Sequence, residues 1–283
     1  MNSCPGQPPP PIVLSFAASD PSGGAGIQAD LLTLASLGCH PLSVITALTV
    51  QDTRGVRGVL PVAASLVADQ ARTLLADMAV AAFKIGLLGS SENIRVIAGI
   101  IAEYPGLPLV LDPVLASGRG DELADAEMIA GLRELLLPLT TILTPNILEA
   151  RRLTVGDRRP QDDRQPTQAE CALSLLDQGC AYVLLTGTHD DTVRVINNLY
   201  RRGVGRVRSD ACDRLPGSYH GSGCTLAAAI AAYLARGRSV EEAVGAAAEY
   251  TWRALVAGFL PGRGQFIPDR FHQARARCAA GDG

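Results

Sequence analysis

Apolar residues in this chain fall into two alternating patterns. Short, nearly continuous runs such as PIVLSFAAS (residues 11–19) end in small polar residues and read as buried strands. Between them lie longer stretches whose apolar positions recur at helical spacing. The first of these, IQADLLTLASLG, runs up to Gly38, a natural helix stop. PLSVITALTVQ (41–51), RGVRGVLPV, AAFKIGLL, PLVLDPV, TTILTPN and AYVLLTG continue the strand series. ASLVADQARTLLADM, SENIRVIAGIIAEY, AEMIAGLRELLLP, ILEARRLTV and TQAECALSLLDQGC continue the helices. VRVINNLYRRGVGRVRS predicts a hairpin with Arg202-Gly203 near its turn. Two final helices, GCTLAAAIAAYLARG and SVEEAVGAAAEYTWRALVAG, close the pattern.

Strand–helix alternation over the whole chain predicts the α/β class, with a mostly parallel sheet covered on both faces. No composition shift marks a domain boundary, and no internal repeat is present. Residues 11–270 are expected to form a single domain, after a disordered lead-in at 1–10 and before a tail at 271–283. The polar, proline-containing stretch at 158–168 reads as a surface loop.

Ligands of open α/β sheets bind outside the carboxyl ends of the strands. Five polar clusters fall at such ends: SDPSGGAG, QDTRG, DPV, TPNILE and TGTHD. Polar loops are common there, but five clusters rich in Gly, Asp, Asn, Thr and Glu predict a crevice.

Composition narrows the function. Charged residues are 19% of the chain and the formal net charge is -3, so no basic stripe points to nucleic acid. Lys84 is the only lysine, and chemistry that needs one has a single candidate. The seven cysteines include no Cys-x-x-Cys pair, which argues against a zinc site or a disulfide framework. MNSCPGQPPPP lacks the basic and apolar regions of a signal peptide, and no apolar run reaches membrane-spanning length. A soluble, cytoplasmic protein is expected.

Three motifs carry candidate chemistry. In HGSGCT, glycines precede a helix whose N-terminal amides lack partners, so Gly221, Ser222 and Gly223 could form an anion hole. An ordinary Ser N-cap fits the same residues. Cys224 would lie in the first turn, where the helix dipole should lower its pKa; alternatively it is a small buried hydrophobe. SDPSGGAGIQAD also places glycines before a helix, but neither a P-loop nor Gly-x-Gly-x-x-Gly is present. TPNILEA puts Asn146 and Glu149 on one face of a starting helix. With Asp112 they could organise Mg²⁺, or they could simply cap that helix. His189 and His220 stand alone in sequence and receive no role. Gly-x-Ser-x-Gly is absent, which gives no support to a serine hydrolase.

ASDPSGGAGIQADL, SVITALTVQDTRGV, KIGLL, VLDPV, LTPNILEA and HGSGCTLAAAI occur in that order. Together they closely resemble the hydroxymethylpyrimidine/phosphomethylpyrimidine kinases of thiamine biosynthesis, within the ribokinase-like superfamily. The resemblance covers residues 12–268. It implies a three-layer α/β/α fold around a mostly parallel sheet, usually as a homodimer. It also implies ATP- and Mg²⁺-dependent phosphorylation of 4-amino-5-hydroxymethyl-2-methylpyrimidine, its monophosphate, or both. By motif position, Asp20 and Gln51 should contact the pyrimidine. Ala18 takes the place of a common glycine, and Leu87 that of a substrate-lining methionine. Asp112, Asn146 and Glu149 should organise Mg²⁺ and phosphates. Gly221, Ser222 and Gly223 should form the anion hole, with Cys224 at the catalytic-base position. Thr186 and Thr188 fall on the nucleotide side with Asn146, and Thr186 replaces a lysine expected to touch phosphates.

Two rivals remain at this stage. A pyridoxal kinase would share the scaffold, with Cys224 adding to the aldehyde. A non-catalytic pyrimidine-binding regulator would fit the missing lysine.

Overall fold

A computed structural model of the protein describes residues 9–117, 120–155, 164–189 and 192–275. Most of the expected lead-in, the core of the 158–168 loop and the end of the tail lie outside these residues.

The first half of the chain forms β1 (Ile12–Ser19), α1 (Gly26–Ser36), β2 (His40–Asp52), β3 (Gly55–Pro61), α2 (Ala64–Asp77), β4 (Val80–Ile85) and α3 (Ser91–Ala102). The second forms β5 (Leu109–Leu111), α4 (Ala126–Gly131), β6 (Ile142–Leu143), α5 (Ile147–Val155), α6 (Gln168–Asp177), β7 (Tyr182–Leu185), β8 (Arg194–Arg201), β9 (Gly205–Asp213), α7 (Ser222–Ala235) and α8 (Val240–Val256). One nine-stranded sheet has the order β3-β2-β1-β4-β5-β6-β7-β8-β9. Pairings from β2 through β7 are parallel; β3, β8 and β9 pair antiparallel at the two ends. The expected Arg202-Gly203 turn joins β8 to β9, whose last pair is Arg201 with Gly205.

Side-chain alternation along the strands builds two cores. Val13, Ala82, Val110, Ile142 and Leu184 face α1, α7 and α8. Leu14, Phe83, Leu111, Leu143 and Leu185 face α2 to α6. These runs are apolar on both faces because a covered parallel sheet has no solvent side. Helix α7 is buried almost all round, with Ala227 through Ala232 fully inaccessible. Its alanines favour helix and let α1, α8 and the sheet approach closely.

Two predicted elements break earlier than the apolar pattern suggests. The helix over 126–138 is α4 followed by a π turn at Leu132–Leu136 and a 3₁₀ turn at Leu137–Leu139. Pro138 lacks the N–H that an α-helix would need there. The strand around residue 110 stops at Leu111, because Asp112-Pro113 leaves the ladder.

Strand order reverses at β1, which has β2 on one side and β4 on the other. A crevice opens at the carboxyl ends of these strands, where α1 and α7 both begin. The two helix starts touch through glycine backbone. Gly221 has φ +80°, and a Cβ there would lie 1.8 Å from the Gly24 carbonyl oxygen. Arg270, nearly inaccessible, donates to the Gly24 carbonyl and to Thr225 Oγ1 and clamps the two loops together. Gly23 also has positive φ but open space around it. Gly221→Ala should therefore lose about 2–5 kcal/mol to left-handed strain plus overlap, and Gly23→Ala only about 1 kcal/mol from strain. Urea unfolding of both variants checks this; equal losses would show that the α1–α7 contact carries no special constraint.

Candidate active site

Every residue that sequence places at the site lines one cavity of about 180 Å³ at the switch point. Ala18 and Leu87 form its apolar wall with Val114 and Leu123. Thr46 Oγ1 fixes this wall by donating to the Leu87 carbonyl at 2.6 Å.

Asp20 and Gln51 lie on the polar wall. The Asp20 carboxylate accepts from the Ser22 amide and hydroxyl, the Ala25 amide and His220 Nε2, at 2.8–3.0 Å. Burial opposes its charge, but His220 and these amides outweigh burial and bring it down to about 2. With four donors already engaged, Asp20 acts first as the organiser of the glycine turn. Gln51 Nε2 lies 2.9 Å from the same His220 nitrogen, and its oxygen accepts from Thr49. His220, which received no role from sequence, thus pins the end of β1 to the start of α7. Its position directly before the glycine turn was the available signal.

Asp112, Glu149, Cys224 and Lys84 are the ionisable groups of the inner end. Burial raises Asp112, and one of its oxygens, Oδ2, is buried without a hydrogen-bond partner. Burial and the neighbouring Asp112 push Glu149 up to about 8. Glu149 and Asn146 do cap α5: Asn146 Oδ1 accepts from the Leu148 and Glu149 amides, and the Asn146 amide donates to Glu149 Oε2 at 2.9 Å. Capping engages Oε2, and the Leu115 backbone also donates to the Glu149 carboxylate, so a cation would share that carboxylate with the cap and the two readings of TPNILE coexist. Among the described residues no group of three or more His, Cys, Asp or Glu could hold a metal. Mg²⁺ needs none, since it takes one or two carboxylates and completes its shell with waters and phosphates. Two buried carboxylates raised in pKa, one with an orphaned oxygen, fit that ion.

The α7 start resolves its own ambiguity. Gly221, not Ser222, is the N-cap, and no side chain caps the helix. Helix α1, which also opens on the cavity, lacks a side-chain cap as well. Helix α2 lacks one too, whereas α3, α4, α6 and α8 carry Ser, Asp or Thr caps. The exposed amides of α7 are therefore available to an anion. Cys224 departs from expectation. The helix dipole does not prevail: burial and Asp112 push the thiol up to about 12. It is a neutral thiol that hydrogen-bonds Asp112 and receives the Gly26 amide.

A second hollow of about 400 Å³ adjoins the first and shares Thr186, Thr188, Tyr219, Ser222 and Gly223 with it. Val195, Leu215, Trp252 and Leu255 give it an apolar lining, and Arg214 donates to the Gly187 and Thr188 carbonyls at its edge. The bridge between Asn146 and Thr186 ties the two sides together. None of these apolar residues was foreseen, because they come from β8, α8 and the 213–219 loop and share no local motif.

Glu149 yields a pH test. A carboxyl raised from 4.5 to about 8 binds its proton more tightly in the folded state, so its contribution to stability falls as pH rises through that interval. In metal-free protein, Glu149→Gln should melt above wild type at pH 8, and the gap should close as pH is lowered toward 5. A variant that melts below wild type at pH 8 would contradict the assigned burial cost.

Comparison with known proteins points to one family. The phosphomethylpyrimidine kinase family model matches residues 20–269. A hydroxymethylpyrimidine/phosphomethylpyrimidine kinase of Mycobacterium tuberculosis is 43% identical over 272 residues, covering 93% of this chain and 96% of that protein. The solved phosphomethylpyrimidine kinase of Clostridium difficile superposes with a TM-score of 0.72 at 36% identity, covering 87% of this chain and 99% of the other. A Staphylococcus aureus pyridoxal kinase, solved with AMP-PCP and pyridoxal, superposes at 0.81 with 29% identity, covering 94% and 95%. Since the family model matches residues 20–269 and the relative is 43% identical over 93% of the chain, the chain belongs to the phosphomethylpyrimidine kinase family.

Proposed function

We propose that the protein transfers the γ-phosphoryl group of ATP to 4-amino-5-hydroxymethyl-2-methylpyrimidine, to its monophosphate, or to both, supplying the pyrimidine half of thiamine. One observation carries this reading: two hollows, one fit for a single-ring substrate and one apolar enough for a purine, meet at the uncapped N-terminus of α7. The nucleotide phosphates would cross from Thr186, Thr188 and Asn146 to Ser222 and Gly223. Asp112 and Glu149 would hold Mg²⁺, which neutralises phosphate charge when bound. The amides of the α7 turn would take the charge that gathers on the transferred group.

Cys224 suits an acceptor that is itself a phosphate. A monophosphate oxygen is already anionic near neutral pH, its second pKa being about 6, and needs little base catalysis. A carboxylate in place of the thiol would stand beside Asp112 and the incoming anion. Two unit charges about 4 Å apart repel by roughly 4 kcal/mol at an effective dielectric of about 20. The neutral thiol avoids that repulsion. With the alcohol as acceptor, the high pKa of Cys224 means that it would act from the thiol state, passing its own proton toward Asp112 as it takes the hydroxyl proton.

We also infer a cytoplasmic homodimer. Cys39, Cys171, Cys180, Cys212 and Cys224 are unpaired, as in a reducing compartment. No helix among the described residues is long and apolar enough to cross a membrane. Leu48 and Leu60 pair across β2 and β3 and are both well exposed beside Val50, a surface suited to a second copy. Light scattering should give twice the chain mass, and Leu60→Glu should lower it to the monomer; a monomeric wild type would sink the dimer.

The activity is tested by incubating purified protein with Mg-ATP and either the alcohol or its monophosphate, with products identified by mass. One added phosphoryl group on at least one acceptor is expected, and none on either would defeat the reading. Pyridoxal belongs in the same assay, because the Cys224 thiol lines the cavity and could add to an aldehyde. Cys224→Asp should lower the monophosphate rate at least about tenfold, a loss of roughly 1.4 kcal/mol. Wild-type turnover by that variant would refute the charge argument.

A further inference from the structure

Lys84 is the one lysine of the chain. It ends β4 on the face covered by α1 and α7, and it is wholly inaccessible to solvent. Its ammonium lies 2.9 Å from both carboxylate oxygens of Asp30, on α1, and Ser15 donates to the same carboxylate. An ammonium has three donors, and Asp30 engages one side of it. No other acceptor reaches Nζ among the described residues. On its remaining side Gly86 places no side chain against it: a Cβ at that residue would lie 2.8 Å from Nζ. Lys84 and Gly86 both line the substrate cavity, alongside Asp112 and Cys224.

A pair that served only to hold α1 against the sheet would be a poor device for it. Taking two charges out of water costs several kcal/mol per ion, and well-packed apolar replacements are often equally stable. Here the cation has a second set of neighbours. Burial opposes its charge, yet Asp30 first, and Asp112 beyond it, hold it protonated. In return it is the main cation that favours charge on Asp112 and Cys224.

We propose that Lys84 is an electrostatic positioning residue for phosphoryl transfer: fixed by Asp30 and lying just beneath the cavity lining at Gly86, its ammonium offsets the negative charge that collects among Asp112, the α7 turn and the transferred group. This rests on the phosphotransferase reading. Asp30 is then the holder, and the charge at position 84 is what turnover depends on.

The test separates charge from packing. Lys84→Met/Asp30→Leu removes both charges and leaves no unpaired ion to unfold the protein. Lys84→Met/Asp30→Asn removes the same charges and keeps an oxygen for Ser15. Tm is measured for both, with kcat and KM for the pyrimidine acceptor beside wild type. Each double variant should keep KM within about threefold yet lose about 100-fold in kcat, the scale of removing one charge-stabilising group, and the first should melt near wild type. Near wild-type kcat in either folded variant would overturn the proposal. Absence of turnover in wild type would sink the phosphotransferase reading itself, and this inference with it.

Discussion

The structure depends on a contact between two pieces of bare backbone. The Gly24 carbonyl rests where a side chain of residue 221 would be, and Arg270 closes over both. This contact sets the start of α1 against the start of α7, so that both helices open on one crevice without side-chain caps. A serine or aspartate cap on α7 would satisfy the amides that a phosphate needs. The helix keeps its orphan donors because its stability comes from burial on all sides rather than from its first turn.

Around that anion site the protein gathers charges that would be costly alone. Asp112 and Glu149 resist ionisation, Lys84 and Arg270 sit buried nearby, and Asp20 is ionised by its own ring of donors. Each is held by a different strand or loop end, which the reversal of strand order at β1 brings together. A nucleotide phosphate with a divalent cation would satisfy the orphaned Asp112 oxygen and the α7 amides at the same time. The orphaned Asp112 oxygen and the uncapped start of α7 face the same crevice.

Much of this was legible in the chain. Apolar period alone marked nearly every strand and helix, because a sheet covered on both faces leaves little polar interruption. The glycine turns and TPNILE were legible as local motifs. What was not legible came from contacts far apart in sequence. His220 meets Asp20 across 200 positions. Lys84 announced itself only as one charge inside the apolar run AAFKIGLL, and its partner Asp30 lay on another element. The Cys224 expectation went the wrong way because the dipole is a local feature, whereas the burial and the Asp112 charge that override it are tertiary. Pro138 was visible in sequence, but the π and 3₁₀ turns that accommodate it depend on packing against α3.

The most direct measurement of the central claim is a crystal structure with Mg²⁺, a non-hydrolysable ATP analogue and the pyrimidine alcohol. The account predicts the base in the hollow beside Trp252 and the terminal phosphate on the amides of Ser222 to Cys224. It also predicts a metal touching Asp112 or Glu149, and the pyrimidine between Leu87 and Gln51. A terminal phosphate bound away from the α7 turn, with those amides left to water, would contradict it.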